Sequence, residues 1–502
     1  VSSHKPKLIG NVLWNFLGRS WGIVLALIYV PYLVHGLGTE AYGIYATLWV
    51  VLSYFQFLDG GFSRALEKYG AESLGAGDAK PLVGAFATAF WVQAIVGVAA
   101  TSLLWMLTPL VISWLKISPG FQPDAIQALR LAGVCLGLNL ASGAPTGAIR
   151  ALQRFRFLNA VGALTQPLLA GASVGAVFLG FGLRGVMWAW VVKSAAEFFV
   201  LTWYSVRLVG GGIQLRFDRP ALKKLFRFGG FLTLSGIMNP ILTNIEKLMM
   251  GAMLPIAAVT AYMIPYRLLE QIRIVPESVS NGLFPYLNAL EGRREQASLY
   301  HVNRRATELL AWALVPIFSL VWIAGDELLA LWIGRELAVS ASSLMNILAA
   351  GFFINMLAWN SVAVIQARGR PEWHVVLYVS ETILYVPFAY WLIRRLGAVG
   401  AAWAWFARVA VDAVLQWTLA GRLTKDVRDI LPPLHWRAAA LAAVVVIAGL
   451  YLRRQWVSGP ECLVLGAIIA SLLVGLGWFM VLDASERDHL PRRWFWREII
   501  GA

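Results

Sequence analysis

Runs of mostly apolar, uncharged residues alternate along the chain with short loops that carry Arg and Lys. Pro81–Leu115 and Cys462–Leu482 are two such runs without a single charge. A helix needs about 20 mainly apolar residues to cross a bilayer, whereas a barrel strand needs about ten in strict alternation. The runs therefore predict helices near 10–36, 41–66, 81–108, 124–149, 157–181, 185–206, 228–253, 257–288, 306–332, 338–366, 372–393, 398–421, 438–452 and 461–482. The fold class expected is an all-α integral membrane protein of about fourteen transmembrane helices. An even number of spans returns both termini to one side.

Composition sharpens this picture. Of 502 residues, 59% are hydrophobic and 14% charged, against about 45–50% and about 25% in soluble domains. The mean hydropathy is +0.67. No long polar stretch could surface a soluble enzyme, a disordered chain or a disulfide scaffold. The formal net charge of +15 would suit nucleic acid in a soluble protein. Here its placement favours the positive-inside rule, with no nucleic-acid partner.

Most Lys and Arg fall in loops on the N-terminal side, and only Lys116, Arg184, Arg335, Arg394, Arg395, Arg453 and Arg454 on the other. Both termini are thus expected in the cytoplasm. Lys5 and Lys7 precede an apolar stretch that runs on to Val34 without a small-residue cleavage site, so it is read as a retained first span. The end of the chain, with Arg492, Arg493, Trp494, Trp496 and Arg497, reads as a basic aromatic helix at the lipid surface. Cys135 and Cys462 sit inside apolar runs and read as buried hydrophobes. The six His show no metal-ligand spacing, so no metal is expected.

The chain repeats itself. Gly182, Gly185, Trp188-Ala-Trp190, Lys193 and Glu197 recur as Gly397, Gly400, Trp403-Ala-Trp405, Arg408 and Asp412, at a constant offset. Tyr45 with Tyr262, Asn139 with Asn355, and Gln153 with Gln366 follow a similar offset. A repeat of six helices gives two copies with the same membrane orientation, related by an axis along the membrane normal. The expected organisation is a six-helix lobe over 1–206, a cytoplasmic linker at 207–227, a second six-helix lobe over 228–421, two additional transmembrane helices in 422–482, and an interfacial tail at 483–502.

A charge at mid-bilayer costs about 2.5–3.5 kcal/mol even on insertion scales. Intramembrane charges are therefore the most informative residues. Lys193 with Glu197, and Arg408 with Asp412, are four apart and share a helix face. Each pair is either a self-neutralising structural pair or the place where a carboxylate titrates to couple ion movement. Arg267, Glu270, Arg273 and Glu277 form a stripe at spacings of three and four, which should face water or protein. Arg19 has no acid within helical reach, so it either snorkels, finds a partner across helices, or meets an anionic ligand. Asp59 and Arg64 lie near the cytoplasmic end of the second span. Glu246 and Lys247, being adjacent, point in different directions and carry little weight. Arginine's planar fork suits phosphate, so a cavity with several arginines favours an anionic substrate.

The stretch Leu37-Gly-Thr-Glu-Ala-Tyr-Gly-Ile-Tyr45, followed by Phe57-Leu-Asp59-Gly-Gly-Phe-Ser-Arg64-Ala, resembles the opening of the polysaccharide transporter family. These are the Wzx-type flippases of lipid-linked oligosaccharides, in the superfamily that also holds the multidrug and toxin extrusion antiporters and the lipid II flippases. The resemblance implies two six-helix lobes, alternating access, and movement of an undecaprenyl-diphosphate glycan across the bacterial inner membrane for polysaccharide or O-antigen assembly. It also implies that helices one, two, seven and eight line the cavity. Arg19, Arg64, Arg267 and Arg273 are then the substrate-binding candidates. Lys193, Glu197, Arg408, Asp412, Asp59 and Glu270 are coupling or structural groups. No cofactor is expected. Proton or sodium coupling stays open, and a polysaccharide polymerase machinery is a further candidate partner.

A cation-coupled multidrug antiporter is the alternative within transport, kept alive by Asp59 and Glu270. A membrane glycan polymerase or ligase is the alternative of another class. The predicted outer loops are short, and no paired carboxylates, nucleophile with base, or phosphate-cradling glycine loop occurs in them. A transporter, not an enzyme, is therefore expected.

Overall fold

The computed structural model describes residues 5–59, 61–75, 80–210, 218–223, 225, 243–277, 279, 296–367, 372–424, 436–457 and 459–482. Among them every regular element is a helix. This is what lipid demands, because a helix satisfies its backbone groups within one segment. Ten described helices are long and apolar enough to cross a membrane. Two of the long helices, Lys5–Phe55 and Glu372–Thr424, are each parted by a kink, at Gly38 and Gly397. Each therefore holds two of the spans expected from sequence. The expected spans 228–253 and 257–288 fall partly outside the described residues, as do part of the linker 207–227 and all of the tail 483–502.

The helices leave large apolar side chains bare. Leu164, Leu168, Phe178, Phe199, Ile383, Leu384, Ile447 and Phe479 are all exposed. A soluble monomer rarely tolerates apolar exposure on this scale, but acyl chains cover it. Helices in lipid associate through close packing of small residues more than through hydrophobic burial. The helices Lys80–Trp114 and Gln122–Ala141 illustrate this. A Cβ on Gly97 would lie 2.5 Å from the Gly137 carbonyl oxygen, so only glycine permits the contact. Thr101 Oγ1 reaches across to the Gly133 carbonyl at 2.9 Å and locks the pair.

By packing, the chain divides into two compact units. The first comprises Val1–Met263 with Tyr378–Ala401, and the second Ile264–Leu377 with Ala402–Ala502. In the first, Phe62, Leu66, Leu82, Phe86 and Phe90 build a buried core with Ala144, Ala148 and Leu225. In the second, the helices Trp436–Gln455 and Glu461–Met480 pack on Gln296–Ile333 through Trp312, Ile323, Ala442, Ile469 and Leu473. Arginines pin both ends of this arrangement. Arg305 donates to the Val481 carbonyl (2.8 Å), just past the last helix. Arg453 donates to Asp326 (2.5 Å) and to the Trp322 carbonyl (2.7 Å).

The internal repeat is visible in backbone geometry. Gly182 and Gly397 both take a positive φ, +53° and +61°. Three residues on, Gly185 and Gly400 both sit where the turn folds against the preceding helix. A Cβ on Gly185 would meet Phe181 Cβ at 2.5 Å, and one on Gly400 the Leu392 carbonyl oxygen at 2.1 Å. The paired glycines thus make the same tight helix–helix turn twice.

Some boundaries differ from the sequence expectation. The span expected over 41–66 ends at Phe55. A short 3-10 turn, Gln56–Asp59, follows, and a new helix, Phe62–Gly75, begins after Gly61. Gly61 has φ +65°, which explains why the helix cannot continue there. Likewise the span expected over 124–149 breaks at Ser142 into Gln122–Ala141 and Gly143–Ala151.

Candidate functional site

The charged stripe of the second unit is built at the end of the helix Ile256–Gln271. The backbone N–H groups of Ile272 and Arg273 donate to carbonyls three residues back, both at 3.1 Å. This tightened, 3-10-like turn interrupts the helix, and helical backbone resumes at 274–277. The unbroken face expected from sequence is therefore a helix, a turn and another helical turn. The charges still meet. Glu270 lies between two arginines, with Oε2 3.4 Å from Arg267 Nη1 and Oε1 3.7 Å from Arg273 Nη1. Arg273 Nη2 is 3.8 Å from Glu277 Oε1. The guanidinium of Arg273 also lies over the Trp359 ring, 4.7 Å from its centroid. Arg273 Nε is buried without a hydrogen-bond partner among the described residues.

This helix is anchored by aromatics. Tyr266, Phe352 and Trp405 form a cluster with ring centroids 4.8–5.7 Å apart. Gly351 makes room for Trp405, whose ring a Cβ would meet at 2.4 Å. Asn360, next to Trp359, donates to Thr307 Oγ1 at 3.3 Å in buried surroundings.

In the first unit, Asp59 accepts a 2.6 Å hydrogen bond from Gln93 Nε2. Gly143 packs against both, and a Cβ there would lie 2.4 Å from Gln93 Nε2 and 2.9 Å from Asp59 Oδ1. Arg64 stands on the helix Phe62–Gly75 with its side chain exposed, within electrostatic reach of Asp59. Arg19 is on the helix Lys5–Phe55, and its side chain lies outside the described residues.

The repeated pairs have diverged. Lys193 Nζ and Glu197 Oε2 are 2.7 Å apart, at 13% and 18% exposure, which places them among protein groups and away from lipid. Thr165 adds a 2.6 Å hydrogen bond to the Glu197 carboxylate. In the other copy Asp412 is buried, and both of its oxygens accept from Gln416 Nε2, at 2.7 and 2.8 Å. Arg408 is half-buried on the same helix.

Sequence reasoning missed one cluster. Glu246 and Lys247, set aside as uninformative, are 0% and 1% exposed and form an ion pair at 3.2 Å. Lys247 also donates to the Thr243 carbonyl and to Asn244 Oδ1. Tyr385 OH reaches Glu246 Oε2 at 3.1 Å, and Tyr262 OH reaches Oε1 at 3.5 Å. Adjacent side chains on a helix diverge at Cβ, but the long lysine stem curls back. The Tyr45–Tyr262 repeat was the available signal, since it marked Tyr262 as more than filler.

Among the described residues, no three His, Cys, Asp or Glu gather as a metal site. An apolar groove of about 870 Å³ runs along Glu461–Met480, lined by Val464, Ile468, Leu472 and Phe479, and no charge borders it. It is unlike the arginine sites in every chemical respect.

Residues 36–342 match the family described as polysaccharide biosynthesis protein. The chain belongs to that family. A Shigella flexneri protein described as an O-antigen transporter is 23% identical over 415 residues, covering 82% of this chain and 97% of its own length. Among solved structures, the chain superposes on the lipid II flippase MurJ in an inward closed conformation, with a TM-score of 0.70 and 11% identity over 93% of this chain and 98% of that one. It superposes on a multidrug resistance MATE family transporter of the MOP superfamily, inward-facing, with a TM-score of 0.67 and 16% identity over 82% and 98%. At such identities the two structures speak for the fold alone. The chain thus has the helical fold of these two transporters, and the expectation of a transporter, not an enzyme, agrees with its relatives.

Proposed function

We propose that this protein flips an undecaprenyl-diphosphate-linked oligosaccharide across the bacterial inner membrane by alternating access, for polysaccharide or O-antigen assembly. Membership of the polysaccharide biosynthesis family and likeness to an O-antigen transporter support the substrate class. The observation that carries the reading is the Arg267–Glu270–Arg273 group with Trp359. Two forked cations beside an aromatic face suit a diphosphate joined to a sugar. Arg19 and Arg64, on helices of the first unit, are the further binding candidates.

In this reading the lobes 1–206 and 228–421 rock about the substrate, with 422–482 as appended helices and both termini in the cytoplasm. Lys193–Glu197 serves as a structural or coupling pair, Arg408 and the Gln416-bonded Asp412 as separate structural or coupling groups, Asp59 with Gln93 fastens its helix end, and a proton or sodium ion drives the cycle. A polysaccharide polymerase machinery receives the glycan. The test is transport in proteoliposomes of a fluorescent lipid diphosphate against a cationic dye. Movement of the lipid diphosphate alone supports the flippase; movement of the dye alone makes it a drug antiporter.

A further inference from the structure

Ion pairs among the described residues run from closed to open, with Lys247–Glu246 between at 3.2 Å and Arg150–Glu67 open at 3.9 Å. Lys193–Glu197, Arg184–Asp124 and Arg305–Glu308 are closed, at 2.6–2.7 Å. The pairs around Glu270 are open, at 3.4 and 3.7 Å. Ordinary N–H···O bonds span about 2.7–3.2 Å, so neither open pair is a formed charge-assisted hydrogen bond of normal length. Glu270 is also 29% exposed, so no buried environment holds it. It is shared between two guanidiniums and tightly bound to neither.

Arg273 is held from a different direction. Its Cζ lies over the Trp359 ring, 4.7 Å from the centroid, while Nη1 and Nη2 lie 3.7 and 3.8 Å from the carboxylates of Glu270 and Glu277. A guanidinium stacked on a ring keeps its orientation when its anion is exchanged, because the ring holds the face and the anion the edge. Arg267 is 44% exposed, so burial does not fix it against Glu270.

We propose that Glu270 is a resident anion, which occupies the Arg267–Arg273 fork in the empty transporter and is displaced by the substrate's diphosphate. This rests on the reading of these arginines as a diphosphate site. Without Glu270, the carboxylate that the two guanidiniums share, they would repel each other at a cost that Glu277, beside Arg273, relieves only in part. A single carboxylate relieves that cost, yet a diphosphate carries more charge and more acceptor oxygens and outcompetes it. On the far side of the membrane the same carboxylate returns and helps expel the product. Glu270 therefore weakens binding and speeds release.

The experiment measures equilibrium binding of undecaprenyl diphosphate to the full-length protein in nanodiscs, together with the release rate, for wild type, Glu270→Gln, Glu277→Gln and Arg273→Ala. Glu270→Gln is expected to bind about tenfold more tightly and to release more slowly. Glu277→Gln, which neutralises a carboxylate 3.8 Å from Arg273, is expected to change binding less. Arg273→Ala is expected to weaken binding at least tenfold. A purely structural Glu270 would lower affinity or leave it unchanged, and either result overturns the displacement while Arg273→Ala still loses binding. If wild type and Arg273→Ala bind undecaprenyl diphosphate alike, the diphosphate site itself is wrong. Should Glu270→Gln fail to fold, Glu270→Asp, whose shorter arm reaches the two forks less well, is expected to shift binding in the same direction; unchanged or weaker binding there also overturns the displacement.

Discussion

The guanidinium of Arg273 lies 4.7 Å from the centroid of the Trp359 ring. The two residues are far apart in sequence, and the ring faces a cation whose carboxylate partners, Glu270 and Glu277, stand at 3.7 and 3.8 Å. Such a contact contributes about 0.5–2 kcal/mol. Trp359→Leu should therefore lower glycan export several-fold at unchanged membrane insertion, and Trp359→Phe should recover part of it. Export assayed in cells at matched protein levels checks this, and equal export from both variants would remove Trp359 from the site.

The Glu246–Lys247 pair makes a prediction about stability. Both groups are buried, so removing one leaves the other uncompensated, at a cost of about 3–5 kcal/mol. Lys247→Met should lower the thermal unfolding midpoint in detergent markedly. The double variant Glu246→Gln with Lys247→Met should regain most of the loss, because no net charge then remains. A double variant as unstable as the single one would show that the pair does not act as a unit.

The repeated glycines can be ranked. Gly397 meets no atom within 4 Å of an added Cβ, so Gly397→Ala carries only the strain of a φ +61°, ψ −137° backbone that glycine alone adopts readily, about 1–3 kcal/mol. At Gly400 the added Cβ would lie 2.1 Å from a backbone oxygen, which cannot swing away. Gly400→Ala should thus be the more damaging change, read as protein yield and thermal midpoint. The reverse order would mean that the turn relaxes.

The appended helices depend on their arginine clamps. Arg453→Ala removes the contacts to Asp326 and the Trp322 carbonyl. The Trp312–Ile469–Leu473 packing remains, so the last two helices should loosen without unfolding. Faster labelling of a cysteine introduced at Ala442 would show this, and unchanged labelling would assign the anchoring to packing alone.

The helices and the repeat were legible because both are local. Apolar length gives a span, and Gly182 and Gly397 announce the turns that φ confirms. The break after Phe55 was legible only in hindsight, since Gly61 sits in an otherwise continuous pattern. The partners of the intramembrane charges were the least legible. Glu270 with Arg267 and Arg273 follows from helical spacing. Gln93 on Asp59 and Tyr385 on Glu246 come from separations of 34 and 139 residues, which no periodicity encodes. The divergence of Asp412, bonded to Gln416, from Glu197, paired with Lys193, was likewise invisible in a motif that matches at both acids.

The most direct measurement is glycan export by cells whose only copy carries Arg273→Ala, with Arg19→Ala in parallel and insertion verified at wild-type level. Export should fall at least tenfold in each, and Arg19→Lys should fall as far if the fork matters more than the charge. Wild-type export from both alanine variants would contradict the proposal that membrane-embedded arginines carry a diphosphate across.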